Sequence, residues 1–256
     1  MKKISLFMCL LLIVASLVAC SSGNASEGDK KTIVMGTSAD YPPYEYIDTA
    51  KGSEIIGFDI DIAKQVADNL GYELEIKNMD FNSLIEALKN DRVDFVMAGM
   101  TPTDKRKKSV DFSEVYYTAK QLVMTTNDSN INTIEDLKGK KIAVQLGSIQ
   151  EKEAEKIQQQ VDIEIVKLNK IPEIVQELKS GRIDAMIIED AVAFGFLDKD
   201  QSLNTFEIKK PAEKTAGSAV AFQKNSDLKE AFNKEMNKMK ESGELDQIAE
   251  KWFTTK

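Results

Sequence analysis

The chain has 256 residues, with 42 acidic against 34 basic side chains, a formal net charge of −8, two cysteines and no histidine. An acidic balance without a basic stripe argues against a nucleic-acid partner. The missing histidine excludes Ser–His hydrolysis and histidine-rich metal sites, which leaves carboxylates as the available acid–base groups.

The chain opens with "MKKISLFMCLLLIVASLVAC", two lysines, an apolar run from Ile4, then small residues before Cys20. That is the layout of a secretory signal, and the run is broken by two serines, short of the about 20 apolar residues of a membrane span. Residues 1–19 are expected to be a signal peptide. Leu17-Val18-Ala19-Cys20 resembles a bacterial lipobox, which makes Cys20 the expected lipidation site and the lipid the link to the membrane. Cys9 falls in the removed segment, so the mature chain would hold no internal disulfide, although export would permit one. Residues 20–31, rich in Ser, Gly, Asn, Glu, Asp and Lys, read as a flexible tether.

Regular structure is expected from "TIVMGTSADYPPYEY", a short strand broken by Gly36 and ended by Pro42-Pro43. In "GFDIDIAKQVADNLG" the apolar residues Ile62, Ala63, Val66, Ala67 and Leu70 fall at helical spacing, with Gly71 as the stop. A strand "YELEIKNM", a helix "FNSLIEALKNDR" and a strand "VDFVMAGM" follow. Alternation of strands and helices predicts a parallel α/β sheet.

The segment "LIEALKNDRVDFVMAGM" at 84–100 aligns without gaps on "IVQELKSGRIDAMIIED" at 174–190, matching Leu88 with Leu178, Lys89 with Lys179, Arg92 with Arg182 and Asp94 with Asp184. A second correspondence joins "TIVMGTS" (32–38) to "KIAVQLGS" (141–148). Two similar α/β lobes account for both. Ligands of open α/β sheets bind at the carboxyl ends of the strands, so facing lobes would line one cleft, with Gly99 and Glu189 at equivalent strand ends.

Several groups fall near those ends. Tyr41 and Tyr44 flank the two prolines and offer aromatic faces, or cover a sheet edge; Phe81 starts a helix and is open to a ligand or a core role. Ala98, Gly99 and Thr101 leave backbone groups accessible. Arg106 carries a planar fork matched to a carboxylate, or is one surface cation among Lys105, Lys107 and Lys108. Ser148 with Glu151 reads as a capping box, and a helix N-terminus there suits an anion, with Gln150 beside it. Glu189 ends an apolar strand, where a carboxylate must meet water or a cation; Asp190 is the competing choice. A carboxylate clamp plus an acidic partner describes a free α-amino acid, its carboxylate on Arg106 and its ammonium on Glu189. Asp40 and Glu45 share a loop and could add a counter-charge for the ligand side chain.

At these residues the chain resembles the solute-binding proteins of polar amino-acid ABC transporters, bacterial family 3. "GTSADYPPYEY", "GFDIDIAKQVA", "GMTPTDKRKKSVDFSEVYY", "LKGKKIAVQLGSIQE", "GRIDAMIIED" and "GELDQIAEKWF" occur in order, and the wording of the fourth and fifth looks most like the arginine-binding lipoproteins of Gram-positive bacteria. The resemblance implies a bilobal α/β clamshell of type II periplasmic-binding-protein form, with lobe 1 at 32–120 and 218–256, lobe 2 at 121–217, and two crossover strands near 118–124 and 217–222. It implies a monomeric, non-enzymatic protein without a cofactor, whose partners are arginine (or lysine or histidine) and ABC permease subunits. The expected ligand set is Ser38, Asp40, Tyr41, Tyr44, Phe81, Ala98, Gly99, Met100, Thr101, Arg106, Ser148, Ile149, Gln150 and Glu189. In that set Tyr41 and Phe81 would sandwich the side chain, and Gly99 and Thr101 would bind the main chain. The wider family often has aspartate where Glu189 stands, and some basic-residue binders have an acid where Ser38 stands. The alternatives are a glutamine or other polar amino-acid binder, and a prephenate or arogenate dehydratase on the same fold.

Overall fold

The computed structural model of the chain describes residues 30–208 and 217–253. The expected signal peptide, Cys20 and most of the tether lie outside these residues. No helix among the described residues is long and apolar enough to cross a membrane.

The first stretch runs β1 (Thr32–Thr37), β2 (Asp40–Tyr41), β3 (Glu45–Asp48), β4 (Glu54–Ile56), α1 (Phe58–Asn69), β5 (Glu73–Asn78), α2 (Leu84–Lys89), β6 (Phe95–Val96), α3 (Asp104–Lys107) and β7 (Asp111–Thr118). The middle stretch is β8 (Gln121–Thr126), β9 (Lys141–Gln145), α4 (Ile149–Gln158), β10 (Glu164–Leu168), α5 (Ile171–Lys179), β11 (Ala185–Glu189), α6 (Asp190–Leu197) and β12 (Leu203–Glu207). The chain then continues with β13 (Gly217–Phe222), α7 (Leu228–Ser242) and α8 (Glu244–Phe253).

Two five-stranded sheets result, ordered β5-β1-β6-β13-β7 and β10-β9-β11-β8-β12, with a small β2-β3-β4 sheet beside them. In each large sheet three strands are parallel. The fourth and fifth are antiparallel additions. The fourth strand always comes from a crossing: β8 follows β7 out of the first sheet, and β13 follows β12 out of the second. These are the two connections of a two-lobed fold.

The internal echo is a structural equivalence. The Arg92 N–H donates to the Ala87 carbonyl at 3.0 Å and the Arg182 N–H to the Glu177 carbonyl at 3.0 Å. Asp91 and Gly181 take the same left-handed turn position, with φ of 54° and 70°. The Asp94 N–H donates to the Val34 carbonyl (2.8 Å), and its Oδ2 accepts from the Val34 N–H (2.7 Å). Asp184 repeats this with Lys141, at 2.9 and 2.8 Å. In both lobes the aspartate ties the helix–strand turn to the central strand. The second correspondence is corrected by register: Met35 stands opposite Phe95 and Ile142 opposite Ala185, so Ser38 corresponds to Gln145 rather than to Ser148. The expected strand over 93–100 narrows to Phe95–Val96, because the backbone then turns toward Gly99, which has φ 54°.

Helix α1 buries Ile62, Ala63, Val66 and Ala67, the apolar face that its spacing predicts, while Leu70 is half-buried. Its first turn docks on the segment after the prolines. The Phe58 and Asp59 N–H groups donate to the Pro43 and Tyr44 carbonyls at 2.9 Å each. Gly57 makes this approach possible: its φ is 142°, and a Cβ there would run into the Tyr44 carbonyl and the Glu45 Cα. Gly57→Ala should therefore cost about 3 kcal/mol or more, from overpacking and backbone strain together. Gly195→Ala, in α6 with open space around it, should be neutral or slightly stabilising. Urea midpoints of the two variants check the contrast; equal midpoints would disprove it.

Candidate ligand site

The loop between β1 and α1 supplies one wall. The Ser38 hydroxyl donates to Asp40 Oδ1 at 3.0 Å. Tyr41 stacks on Tyr44 with ring centroids 5.5 Å apart and 20° between planes. Gly99 follows β6 with its N–H on Asp59 Oδ2 at 2.9 Å, and a Cβ at Gly99 would press on the Tyr41 ring at 3.3 Å. The same Asp59 carboxylate accepts from the Tyr116 hydroxyl at 2.8 and 2.9 Å.

Arg106, on α3, is drawn inward while Lys105, Lys107 and Lys108 remain exposed. The helix is capped by the Thr103 hydroxyl, which accepts from the Arg106 N–H at 3.3 Å. The guanidinium donates to the Thr101 carbonyl at 2.7 Å and, across the lobes, to the Gly147 carbonyl at 2.9 Å. It lies over the Phe81 ring at 5.2 Å. Two of its five donors are thus spent on carbonyls, which orient the fork and leave donors for a ligand. Burial lowers its pKa to about 10, so it is charged at neutral pH.

The second lobe supplies the N-terminus of α4. The Ser148 hydroxyl accepts from the Glu151 N–H at 3.2 Å, and the Glu151 carboxylate accepts from the Gly147 N–H at 2.7 Å. This is the expected capping box, with the glutamate reaching back one residue further. Gln150 donates to the Gln121 side-chain oxygen at 2.9 Å. Glu189 closes β11, is 3% exposed, and its Oε2 accepts no hydrogen bond.

Together these residues line a small cavity between the lobes. It brings together Ser38, Asp40, Tyr41, Phe81, Ala98, Gly99, Thr101, Arg106, Ser148, Ile149, Gln150 and Glu189 from the expected set, and adds Glu45 and Gln145. Two expected residues stand elsewhere. Tyr44 is fully buried behind Tyr41, edge-on to Phe58, Tyr117 and Phe253 at 6.2, 5.8 and 5.2 Å, so its ring belongs to an aromatic core. Met100 is 1% exposed and packs in the apolar cluster with Leu84, Leu88 and Val110. Gln145 was missed; the corrected equivalence to Ser38 is the feature that would have found it. Asp40 lines the cavity, but its Oδ2 is engaged by the second lobe: Ile171 N–H at 3.3 Å, Gln145 at 3.4 Å and the Lys170 ammonium at 3.9 Å.

The electrostatics are one-sided. Burial first, then the charges of Asp59 and Asp40, push the Glu45 carboxyl well above the usual range. Burial raises Asp59 to about 6 against the Gly99 N–H and the Tyr116 hydroxyl. Burial raises Glu189 to about 8, opposed by the Tyr44 hydroxyl and reinforced by Asp190. Among the described residues none of these three makes an ion pair with a protein cation.

Two α/β lobes enclosing one small, charged cavity define a two-lobed ligand-binding protein of the type II periplasmic-binding form. The sequence matches the profile of the bacterial extracellular solute-binding proteins, family 3, over residues 33–255, and the chain belongs to that family. It is 48% identical over 255 residues, 99% of each chain, to the arginine-binding extracellular protein ArtP of Bacillus subtilis (strain 168). Among solved structures it is similar to the substrate binding protein of an amino acid ABC transporter, with 45% identity and a TM-score of 0.82 over 88% of this chain and 100% of that one. It is also similar to an ancestral arginine-binding protein bound to arginine, with 39% identity and a TM-score of 0.81 over 88% and 100% of the two chains. The expected two-lobed fold is borne out, and these relatives are solute binders rather than enzymes, as expected.

The raised carboxyl pKa values set a pH dependence. A carboxyl whose pKa is higher folded than unfolded binds more protons in the native state, so its stabilising contribution is complete below the unfolded value and is lost as pH rises through the folded one. For Glu189 that window runs from 4.5 to about 8, and for Asp59 from 3.8 to about 6. With no histidine in the chain, nothing of the usual kind titrates against them there. The ligand-free protein should melt at a progressively lower temperature as pH rises from 5 toward about 8, and Glu189→Gln should flatten the trend. Calorimetric scans at fixed ionic strength test this; a melting temperature rising with pH would contradict it.

Proposed function

We propose that the protein binds a basic L-amino acid in this cavity, arginine foremost and lysine or histidine next, and delivers it to the permease subunits of an ABC importer. The observation that carries the reading is the charge arrangement. One guanidinium, Arg106, faces the cavity, while Glu45 and Glu189 line it without a cation, with Asp59 close behind Glu45. A ligand with one carboxylate and two cations balances that set, the carboxylate on Arg106, the α-ammonium on Glu189 and the side-chain cation toward Glu45. Tyr41 and Phe81 offer rings for a flat guanidinium, a cation–π contact of about 0.5–2 kcal/mol. The relative named for arginine binding and the arginine-bound neighbour support the choice of ligand.

The working cycle is hinge closure of lobe 1 (32–120 and 218–256) on lobe 2 (121–217) around one ligand, by a monomer. The permease would read the closed form. The protein would work on the extracytoplasmic face of the membrane, held by lipid on Cys20 after removal of residues 1–19. A Cys20→Ala variant should leave the membrane fraction, because stable anchoring needs the acyl chains; retention like wild type would remove the anchor from the reading.

A thermal-shift panel of free amino acids tests the ligand. At about 100 times its dissociation constant, arginine should add about 2.7 kcal/mol of stability, with glutamine at least about tenfold weaker in affinity. Arg106→Ala and Glu189→Ala should each weaken arginine binding tens-fold or more, in line with the about 2–5 kcal/mol for orphaning one partner of a buried pair. Lys107→Ala, on the exposed side of α3, should change little. A panel led by glutamine would replace the ligand, and wild-type affinity in Arg106→Ala would remove the clamp.

A further inference from the structure

Glu45 is completely buried, lines the cavity, and neither of its carboxyl oxygens accepts a hydrogen bond. Its neighbours on every side are acidic or neutral. Asp59 on α1 lies within hydrogen-bonding reach, Asp40 on β2 and Glu189 at the end of β11 add negative charge, and Tyr116 on β7 and Tyr41 on β2 are hydroxyl neighbours. The cation in the cavity lining, Arg106, is held by the Thr101 and Gly147 carbonyls, and Lys170, which reaches Asp40, is paired with Asp80. The acids are not arranged to hold a metal ion.

Two carboxyl groups in reach of each other, out of water and without a cation, cannot both be ionised. Asp59 is the partner that keeps the negative charge, because its oxygens already accept from the Gly99 N–H and the Tyr116 hydroxyl. A proton shared by the two would then sit on the Glu45 side.

We propose that Glu45 and Asp59 hold one proton between them in the ligand-free protein, and that the cationic side chain of the ligand displaces this proton to solvent. The Glu45 O–H bond breaks, the proton passes to buffer, and the carboxylate left behind faces the arriving cation. One positive charge leaves as another enters, so this end of the cavity keeps its net charge. That balance is what a desolvated site requires, since an uncompensated buried charge is the costly state. A neutral ligand of the same shape leaves the proton in place. Selectivity for a cation over its neutral isostere then rises with pH, by up to about tenfold per pH unit while the pair stays protonated in the empty protein.

This inference rests on the basic-ligand reading, and the test separates the two. L-Arginine and L-citrulline, its uncharged isostere, are titrated into the wild-type protein near pH 7 by calorimetry in phosphate and in Tris, whose ionisation heats differ. Glu189 alone can release at most about one proton on meeting an α-ammonium, whichever ligand brings it. Arginine should release about two protons and citrulline about one. Arginine releasing no more than one overturns the proposal, whether or not citrulline binds measurably. Glu45→Gln should bring arginine's count down to the Glu189 contribution; an unchanged count of about two would also overturn it. If that variant does not fold, the wild-type count decides. A protein that gives no heat with arginine in either buffer overturns the ligand reading and this inference with it.

Discussion

The cavity depends on a carboxylate that the ligand does not have to touch. Asp59 sits in the first turn of α1, where the helix N-terminus favours negative charge, and its oxygens hold the Gly99 N–H and the Tyr116 hydroxyl. Through those bonds one side chain fixes three elements: α1, the bend after β6 that carries cavity backbone, and β7, which leads to the crossing into the second lobe. Gly57 lets α1 come close enough for this, and the Tyr44–Phe58–Tyr117–Phe253 cluster fills the space around the contact. A charged group thus organises the wall, and its charge is available to whatever lies in front of it.

The lobes meet through contacts of unequal weight. Lys170 bridges to Asp80 at 2.9 Å with both partners partly exposed, and Asn169 donates to Asp80 at 3.2 Å. Exposed pairs of this kind contribute at most about 1 kcal/mol. Arg106 to the Gly147 carbonyl is a charged hydrogen bond, worth at most about 1.5–3 kcal/mol. Asp40 lies between these two regimes: buried, it accepts from the second lobe at Gln145 and Ile171. Its carboxylate is engaged between the lobes, whereas Glu45, the other acid that the sequence offers as a counter-charge, accepts no hydrogen bond.

The parts of this architecture that were legible in the sequence are those where local chemistry repeats. Asp94 and Asp184 recur because the same pair of backbone hydrogen bonds is made in each lobe. Gly99 and Glu189 could be matched across the echo because both follow the same helix–turn–strand unit to the cavity, Glu189 as the last residue of β11 and Gly99 in the bend after β6. The amphipathic face of α1 and the cap at Ser148 followed from spacing alone. What escaped depends on three-dimensional neighbours. Tyr41 and Tyr44 are three residues apart in one loop, and only the docking of α1 and α8 decides that the second ring is core. Met100 and Thr101 differ by the side of the backbone they face after a bend whose position the apolar run "VDFVMAGM" does not reveal. Gln145 needed the strand register, since matching the serines that end "TIVMGTS" and "KIAVQLGS" points to Ser148 instead. Glu45 read as a loop acid because nothing in its sequence surroundings announces complete burial.

Burial of Glu45, Asp59 and Glu189 together with Arg106 gives the closed arrangement its character. Each group is desolvated, and the protein's own cations do not offset the acids. The interlobe hydrogen bonds are too few to cover several kcal/mol per uncompensated ion, so the empty cavity must retain protons on its carboxyls. Ligand cations remove that need. On the proposed reading, closure would draw on the replacement of protons by ligand charge as well as on contacts between the lobes. A site built this way discriminates by charge first and by shape second: a neutral side chain of the right length can enter, but it leaves the proton on Glu45 and forgoes the ionic contact that the buried carboxyl pair provides.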